Sequence, residues 1–136
     1  MRIVLDTNVL VAAFVAHGNC NELLEHCMVH HEVIVSKPIL DELLEVLTRK
    51  FGFTQDEARS AIRLLRTRAT LIAPTPLSAP VCRDPDDDAI LATARTAACA
   101  ALVTGDKDLT VLQHYEGVTI LTPAEFWEFE NKVGGS

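Results

Sequence analysis

Four acidic residues stand where an apolar segment ends or where a helix is expected to begin: Asp6, Glu42, Asp88 and Asp106. They are far apart in the sequence, so local charge patterning does not explain their positions. If the fold gathers them at one end of a sheet, their mutual repulsion has to be offset by bound protons or by a divalent cation. We therefore expect the chemistry of this chain to take place at such a carboxylate cluster.

The elements that must position these acids alternate along the chain. Short β-branched segments predict strands at residues 2–5, 32–35, 70–73, 101–104 and 118–121. Amphipathic segments, several of them with capping residues, predict helices at residues 21–30, 38–50, 54–68, 84–100 and 123–130. This alternation predicts a Rossmann-like, three-layer α/β/α sandwich with a mostly parallel central sheet and right-handed crossovers.

Two of the acids directly follow predicted strands. Asp6 comes after the first strand and Asp106 after the fourth, where Gly105 allows a tight turn. Because the carboxyl ends of parallel strands meet at one edge of a sheet, both carboxylates are expected at the edge where open α/β sheets hold their sites. Asp6 alone is better explained as a helix N-cap, but the second acid favours a functional role.

A third acid is expected from the helix that follows the second strand. Asp41 and Glu42 are adjacent in that helix and point to different sides of it. Their spacing alone does not decide which of the two faces the ends of the strands. Both therefore stay candidates at this point.

The acidic run that opens the helix at residues 84–100 is explained in large part by helix capping. Asp84 is the expected N-cap, and Asp87 occupies the third helical position, where it can reach back to the cap. Acids in the first turn also interact favourably with the helix dipole. Asp88 lies past the best of these positions, so it is the best catalytic candidate of the run.

The chain resembles the PIN domain family, a metal-dependent nuclease fold, from residue 2 to about residue 129. The motifs that carry the resemblance are Val4-Leu5-Asp6-Thr7-Asn8, Ser36-Lys37-Pro38 with Glu42-Leu43-Leu44, Asp84-Pro85-Asp86-Asp87-Asp88, Val103-Thr104-Gly105-Asp106-Lys107-Asp108 and Ile120-Leu121-Thr122-Pro123. Each motif is weak alone, and their shared order along the chain makes the resemblance strong. The chain is similar in particular to bacterial and archaeal PIN proteins that act as toxins of toxin–antitoxin pairs.

The resemblance implies catalytic acids at Asp6, Glu42, Asp88 and Asp106, and so it favours Glu42 over Asp41. Of these, Asp6, Asp88 and Asp106 would bind Mg²⁺ or Mn²⁺, because carboxylate ligands and a phosphate substrate suit hard cations. Auxiliary roles are implied for Asn8, Asp84, Thr104 and Asp108. The implied activity is hydrolysis of RNA phosphodiester bonds, by a protein that forms a homodimer and binds a small antitoxin.

The charge of the chain bears on its substrate. A net charge of −7 is unusual for a protein that binds nucleic acid, although the expected acidic cluster supplies part of it. Arg59, Arg63 and Arg66 fall at i, i+4 and i+7 of one predicted helix, a stripe suited to contact backbone phosphates. The alternative is a solvated helix face whose arginines pair with acids on neighbouring elements. With one Trp, one Tyr and five Phe, extensive base stacking is disfavoured.

Length and hydropathy set the domain organisation. The 136 residues suit one domain, which we place at residues 1–130 and follow with a flexible tail at 131–136. No apolar segment approaches the roughly 20 residues of a membrane span, and the apolar segment after Met1 is too short for a signal peptide. We therefore expect a cytoplasmic protein.

A second group of potential metal ligands lies early in the chain. Cys20, His26, Cys27, His30 and His31 would permit a zinc site by residue type. Structural zinc sites generally use closer ligand pairs, so an exposed helix face is the favoured interpretation. The four cysteines form no CxxC pair and are expected to be reduced thiols.

Three other functions are compatible with acids at strand ends. A haloacid-dehalogenase-like phosphoryl transferase would need a second Asp two residues after Asp6, where this chain has Asn8. A non-hydrolytic metal- or phosphate-binding module, such as a response-regulator-like receiver, would need a lysine at the end of a late strand; Lys107 is nearby but lies past Asp106. The third alternative is a PIN-fold protein that acts on DNA or structured nucleic acid.

Overall fold

A computed structural model of the protein describes residues 1–16 and 18–134. Its six strands are β1 Arg2–Leu5, β2 Glu32–Ser36, β3 Thr70–Ile72, β4 Ala101–Val103, β5 His114–Tyr115 and β6 Val118–Leu121. They form one sheet in the order β3-β2-β1-β4-β6-β5, in which every pairing is parallel except that of β5 with β6. The predicted mostly parallel sheet is therefore confirmed.

The helices are α1 Thr7–Val15, α2 Asn19–His30, α3 Lys37–Arg49, α4 Gln55–Arg68, α5 Pro85–Thr96, α6 Lys107–Thr110 and α7 Pro123–Gly134. Together with the sheet they form the expected three-layer α/β/α sandwich. Within the described residues, no helix is both long enough and apolar enough to cross a bilayer.

The central strands are buried on both faces. Ile3, Val4 and Leu5 of β1 are at most 1% exposed, and Leu102 and Val103 of β4 are fully buried. Consecutive buried residues are what a parallel strand covered by helices on both sides requires. The chain turns to β2 and β3 on one side of β1 and to β4 and β6 on the other. The crevice between the ends of β1 and β4 is thus the topological switch point of the sheet.

Three elements, α1, α6 and β5, were not predicted from the sequence. Helix α1 buries Val9, Leu10, Val11 and Ala13 on most of its sides, so its sequence carries little amphipathic periodicity. Helix α6 is a single turn of 4 residues, and strand β5 has 2 residues. Elements of that length leave too few residues for a periodic pattern.

Two predicted boundaries are corrected. The helix predicted at residues 84–100 ends at Thr96, because Ala98 adopts a left-handed conformation with φ of 51°. There the amide of Cys99 donates to the carbonyl of Ala94 at 2.9 Å, a bond that closes the helix end. The helix predicted at 123–130 continues through Gly134, and residues 135–136 of the predicted flexible tail lie outside the described part of the chain.

Candidate functional site

The ends of β1 and β4 are joined through Asp6 and Thr104. The amide of Asp6 donates to the carbonyl of Val103 at 2.9 Å, which continues the parallel pairing one residue past the strands. The Thr104 hydroxyl donates to Oδ2 of Asp6 at 2.6 Å. Both residues are buried, so this bond fixes the Asp6 carboxylate within the protein rather than at its surface.

Asp106 is placed by the same threonine and by its own helix. Its amide donates to the Thr104 hydroxyl at 3.0 Å, and its Oδ1 accepts from the amide of Asp108 at 2.9 Å, which makes it the N-cap of α6. Asp108 in turn accepts two hydrogen bonds from Arg83, at 2.8 and 3.0 Å. Asp106 therefore stands at the switch point beside Asp6, with an ion pair on its outer side.

Helix α5 contributes Asp87 to the same place. Asp84 caps the helix by accepting from the amide of Asp86 at 2.9 Å, so Asp87 is free of the capping role that its position suggested. Asp87 is buried, with 7% exposure. Carboxylate oxygens of Asp87, Asp106 and Asp108 lie within 4.8 Å of one another.

The structure does not bring Asp88 to this site. Its carboxylate accepts from the amide of Cys82 at 2.8 Å and from that of Val81 at 3.2 Å, so it faces the loop before α5. The reason is helical periodicity, since neighbouring residues project about 100° apart. Asp87 precedes the buried Ile90 and Leu91 by three and four positions and shares their face. That spacing was the signal in the sequence, and Asp87 takes the place predicted for Asp88.

Glu42 faces the acids from α3, whereas Asp41 does not. Burial, followed by the charges of Asp86, Asp6, Asp84 and Glu45, raises the pKa of Glu42 to about 7. Asp41 is exposed and accepts from the Lys37 ammonium at 2.6 Å. Of the two candidates that the spacing left open, Glu42 is the one directed to the strand ends.

We call Asp6, Glu42, Asp87 and Asp106 the acidic cluster. Burial, together with the charges of Asp106, Asp84 and Asp6, raises the pKa of Asp87 to about 7. Burial also raises the pKa of Asp6; the hydrogen bond from Thr104 offsets part of this rise, and the charge of Asp106 adds to it. Three of the four carboxylates are thus destabilised in their charged forms by burial and by the neighbouring acids.

The donor set of the acidic cluster fits a divalent cation. Its ligands are carboxylate oxygens on rigid strand and helix ends, the donors that Mg²⁺ and Mn²⁺ prefer. Next to Asp6, Thr7 is fully buried, and its hydroxyl has no hydrogen-bond partner among the described residues. Uncompensated carboxylates beside an unsatisfied hydroxyl are the features expected of a site that completes its coordination with a cation and its water.

The four auxiliary residues have different surroundings. Thr104 is the hydroxyl that fixes Asp6, and Asp108 borders the cluster through Asp106 and Arg83. Asp84 caps α5 and is exposed. Asn8 is exposed in the first turn of α1, and the Asp6 side chain makes no capping hydrogen bond to that helix.

The arginine stripe is exposed on α4. Arg59, Arg63 and Arg66 line a shallow groove with Ile62 and Thr67, and no residue of the acidic cluster lines it. Among the described residues, none of the three arginines forms an ion pair with an acid. The paired helix face that was the alternative interpretation is not seen there.

The sequence profile of the PIN domain family matches residues 2–108. No curated protein matches the sequence closely enough to count as a relative. Among solved structures, VapBC-1 of nontypeable Haemophilus influenzae is similar with a TM-score of 0.65 and 16% identity, over 91% of this chain and 99% of that one.

Two further structures share the fold. VapBC2 of Rickettsia felis, solved with a DNA fragment from its promoter, has a TM-score of 0.64 and 16% identity, over 88% of this chain and 97% of that one. VapC20 of Mycobacterium tuberculosis, described as a toxin that cleaves the sarcin–ricin loop, has a TM-score of 0.62 and 17% identity, over 84% of this chain and 97% of that one. At such identities the likeness establishes the fold.

Proposed function

The chain belongs to the PIN domain family, and from this premise we propose that it is a divalent-cation-dependent endoribonuclease. It hydrolyses RNA phosphodiester bonds at the acidic cluster. The observation that carries the proposal is the grouping at the switch point of the sheet of Asp6 and Asp87 beside Asp106, with Glu42 facing Asp6 from α3; the pKa values of Asp6, Glu42 and Asp87 are all raised. Carboxylates arranged in this way suit a cation and a phosphate substrate.

In the proposed site, Asp6, Asp87 and Asp106 hold Mg²⁺ or Mn²⁺. When bound, the cation supplies activation of a water molecule and neutralisation of charge on the phosphate. Thr104 keeps Asp6 oriented through its hydrogen bond of 2.6 Å. Glu42, whose pKa is raised to about 7 by burial and by neighbouring acids, exchanges a proton near neutral pH and serves as the general base.

The RNA itself would be held by positive charge outside the acidic cluster. The exposed Arg59, Arg63 and Arg66 stripe is the candidate surface, because it lies on one helix face and has no acidic partner among the described residues. Phosphate contacts from such a stripe position the strand without selecting its sequence. Choice of substrate would then rest on the shape of the RNA or on a short single-stranded motif.

The decisive experiment compares two neighbouring residues of one helix. Purified protein is assayed for cleavage of labelled RNA with Mn²⁺ or Mg²⁺, as wild type, as Asp87→Asn and as the matched control Asp88→Asn. Losing a metal-binding carboxylate should lower the rate by about 100-fold or more. Asp88→Asn should cleave at close to the wild-type rate, because its carboxylate faces Cys82 and Val81. Chelation should abolish cleavage by wild type.

Two results would reject the proposal. Wild type that cleaves no RNA with either cation would leave the acidic cluster without the proposed activity. Equal rates for wild type and Asp87→Asn would remove Asp87 from the site. DNA of the same sequence tests the alternative substrate, and phosphoryl transfer from acetyl phosphate to the protein tests the receiver-like alternative. Lys107 opens α6 four residues after the end of β4, whereas such a receiver needs its lysine at the end of a strand.

A protein partner is also part of the proposal. VapC20 is described as a toxin, and VapBC-1 and VapBC2 share the fold of this chain. We infer by this likeness that the chain is the toxin of a pair, binds a small antitoxin and forms a homodimer. Growth arrest on expression of wild type, but not of Asp87→Asn, supports the toxin role, and light scattering of the purified chain measures its oligomeric state. Unchanged growth on expression of wild type would reject the toxin role without affecting the conclusion from the RNA cleavage assay.

A further inference from the structure

A second group of metal-ligand side chains lies between α2 and α7. His26 is in α2, His31 directly follows it, and Glu130 belongs to α7. Nε2 of His26 lies 2.6 Å from Oε2 of Glu130, and Nε2 of His31 lies 2.5 Å from the same oxygen. We call these three residues the His–Glu cluster. It shares no residue with the acidic cluster, and Glu130 lies beyond the residues matched by the family profile.

The three ligand atoms converge on one point. They lie within 4.8 Å of one another, and both imidazoles approach a single carboxylate oxygen at distances shorter than the roughly 2.7–2.9 Å of charge-assisted N–H···O bonds. Two imidazoles and one carboxylate form a well-known zinc ligand set. With zinc bonds of about 2.0–2.1 Å, ligand atoms of a tetrahedral site stand about 3.4 Å apart, so each nitrogen would withdraw from the oxygen by less than about 1 Å.

The aromatic neighbours of the histidines fix the orientation of their rings. The His26 ring lies 4.8 Å from the ring of Trp127, and the His31 ring packs edge-on against Phe126 at 5.9 Å. The side chains of His26, His31 and Glu130 are 26%, 10% and 19% exposed, which leaves room for a water ligand. The sequence favoured an exposed helix face for the histidines; His30 is exposed, but His26 and His31 are partly buried.

The nearby cysteine is not part of this ligand set. Cys27 is fully buried in the core, and its sulfur is not among the ligand atoms that lie within 4.8 Å of one another at this place. The ligands offered at this place are therefore two nitrogens and one oxygen, which favour Zn²⁺ over the hard cations suited to the acidic cluster.

We propose that His26, His31 and Glu130 bind one Zn²⁺ ion, with solvent completing the coordination. The ion would link the end of α2 to α7. These two parts of the chain are far apart in sequence, since Glu130 is separated from His31 by 99 positions. The ligands of this site belong to the packing of the last helix against α2 and not to the switch point of the sheet. It goes beyond the proposed nuclease function and does not depend on it.

The chain carries its own probe for this site. Trp127 is the single tryptophan, and its ring lies 4.8 Å from that of His26 in a tilted arrangement, so metal binding there should change its fluorescence. Metal-stripped protein is titrated with Zn²⁺ while Trp127 emission and bound zinc are measured, and Co²⁺ is added to a second sample to record the visible spectrum of tetrahedral nitrogen–oxygen coordination. We expect one equivalent of zinc to account for the whole change in emission, and excess Mg²⁺ to leave that change intact.

Matched variants assign the ion to its ligands. Glu130→Gln and His26→Ala should each weaken zinc binding by about tenfold or more, as loss of a ligand demands. His30→Ala removes a neighbouring imidazole outside the ligand set and should bind zinc like wild type, and so should Asp106→Asn. Circular dichroism establishes that each variant is folded. The proposal is overturned if wild type binds no zinc at micromolar concentration, or if Asp106→Asn removes the signal while Glu130→Gln retains it.

Discussion

The acidic cluster and the His–Glu cluster both bring together residues from distant parts of the chain, but the pKa values of their carboxylates are shifted in opposite directions. In the acidic cluster, burial and mutual repulsion raise the pKa of Asp87 and of Glu42 to about 7. In the His–Glu cluster, burial also acts to raise the pKa of Glu130, but hydrogen bonds from His31 and His26 outweigh it and lower the pKa. The negative charges of the acidic cluster are not balanced by neighbouring donors, whereas the charge of Glu130 is balanced by the two histidines.

This difference shows which region stabilises the fold by itself. A carboxylate whose pKa is raised on folding opposes folding wherever it is ionised, whereas one whose pKa is lowered supports folding there. The acidic cluster therefore costs stability until protons or a cation bind it. Such a cost at a strand-end crevice is expected of a functional site rather than of a structural one.

The largest expected effect is on the pH dependence of stability. Asp87 has a pKa of about 7 in the folded protein and 3.8 as its ordinary value, so the folded form binds more protons between these limits. Stability of the metal-free protein should then fall as pH rises from about 4 to about 7, with a cost on the order of 2–4 kcal/mol from Asp87 above that range. Urea unfolding at pH 5 and pH 8 measures this slope.

Asp87→Asn should reduce that slope, with the remainder coming from Glu42, and make the metal-free protein more stable than wild type at pH 8. Saturating Mg²⁺ should stabilise wild type at pH 8 and have little effect on the variant. Asp88→Asn is the control, and its slope should match that of wild type. A variant at Asp87 that is less stable at pH 8, with the wild-type slope unchanged, contradicts the assignment of uncompensated repulsion to this residue.

The His–Glu cluster should respond in the opposite direction. Its folded-state pKa for Glu130 is lowered from 4.5, so its contribution is present above about pH 4.5 and is lost as pH falls through the lowered value. Glu130→Ala should destabilise metal-free protein at pH 7 by about 1–2 kcal/mol, because two half-buried imidazoles lose their acceptor. Glu128→Ala, on an exposed position of the same helix, should change little. Equal losses in the two variants would assign the effect to α7 as a whole.

Much of the fold was predictable because the central strands are short, continuous apolar segments and the long helices carry strong periodicity. Helix α1 was not, since its residues are buried on most sides. Of the site, the strand-end acids Asp6 and Asp106 followed from parallel topology. Asp87 was missed in favour of Asp88 because capping explained it first, although its three- and four-residue spacing to Ile90 and Leu91 put it on the buried face.

The His–Glu cluster shows a different limit of prediction. The spacing of the histidines made His26 a candidate metal ligand. Glu130 lies 104 positions further along the chain, and no local sequence pattern links the two. Only the packing of α7 against α2 brings them together. The neighbours of a residue at the end of a strand follow from the strand order of the sheet. Contacts between helices depend on side-chain packing, which cannot be read from a single sequence.

Thr104 offers a smaller test within the acidic cluster. Its hydroxyl donates to Asp6 and accepts from the amide of Asp106, so Thr104→Val removes both bonds in a buried place. We expect a loss of about 1–2 kcal/mol in stability and a further rise in the pKa of Asp6. Metal affinity, measured by Mn²⁺ titration, should fall by about 10- to 100-fold, as for other residues that orient metal ligands. Thr104→Ser keeps the hydroxyl and should restore affinity; a serine variant as weak as valine would assign the effect to packing.

The smallest effect is expected outside both clusters, on the arginine stripe. Arg63→Ala should weaken RNA binding by a few-fold and lower the slope of log affinity against log salt by about 0.7, the value for one phosphate contact on a single strand. The control is Arg68→Ala on the same helix, because Arg68 lines a different groove with Phe14 and Met28. Fluorescence anisotropy between about 50 and 200 mM salt measures both slopes. If the two variants change the slope of log affinity against log salt equally, RNA binding depends only on the net charge of the protein. The stripe then has no positioning role in the proposed nuclease.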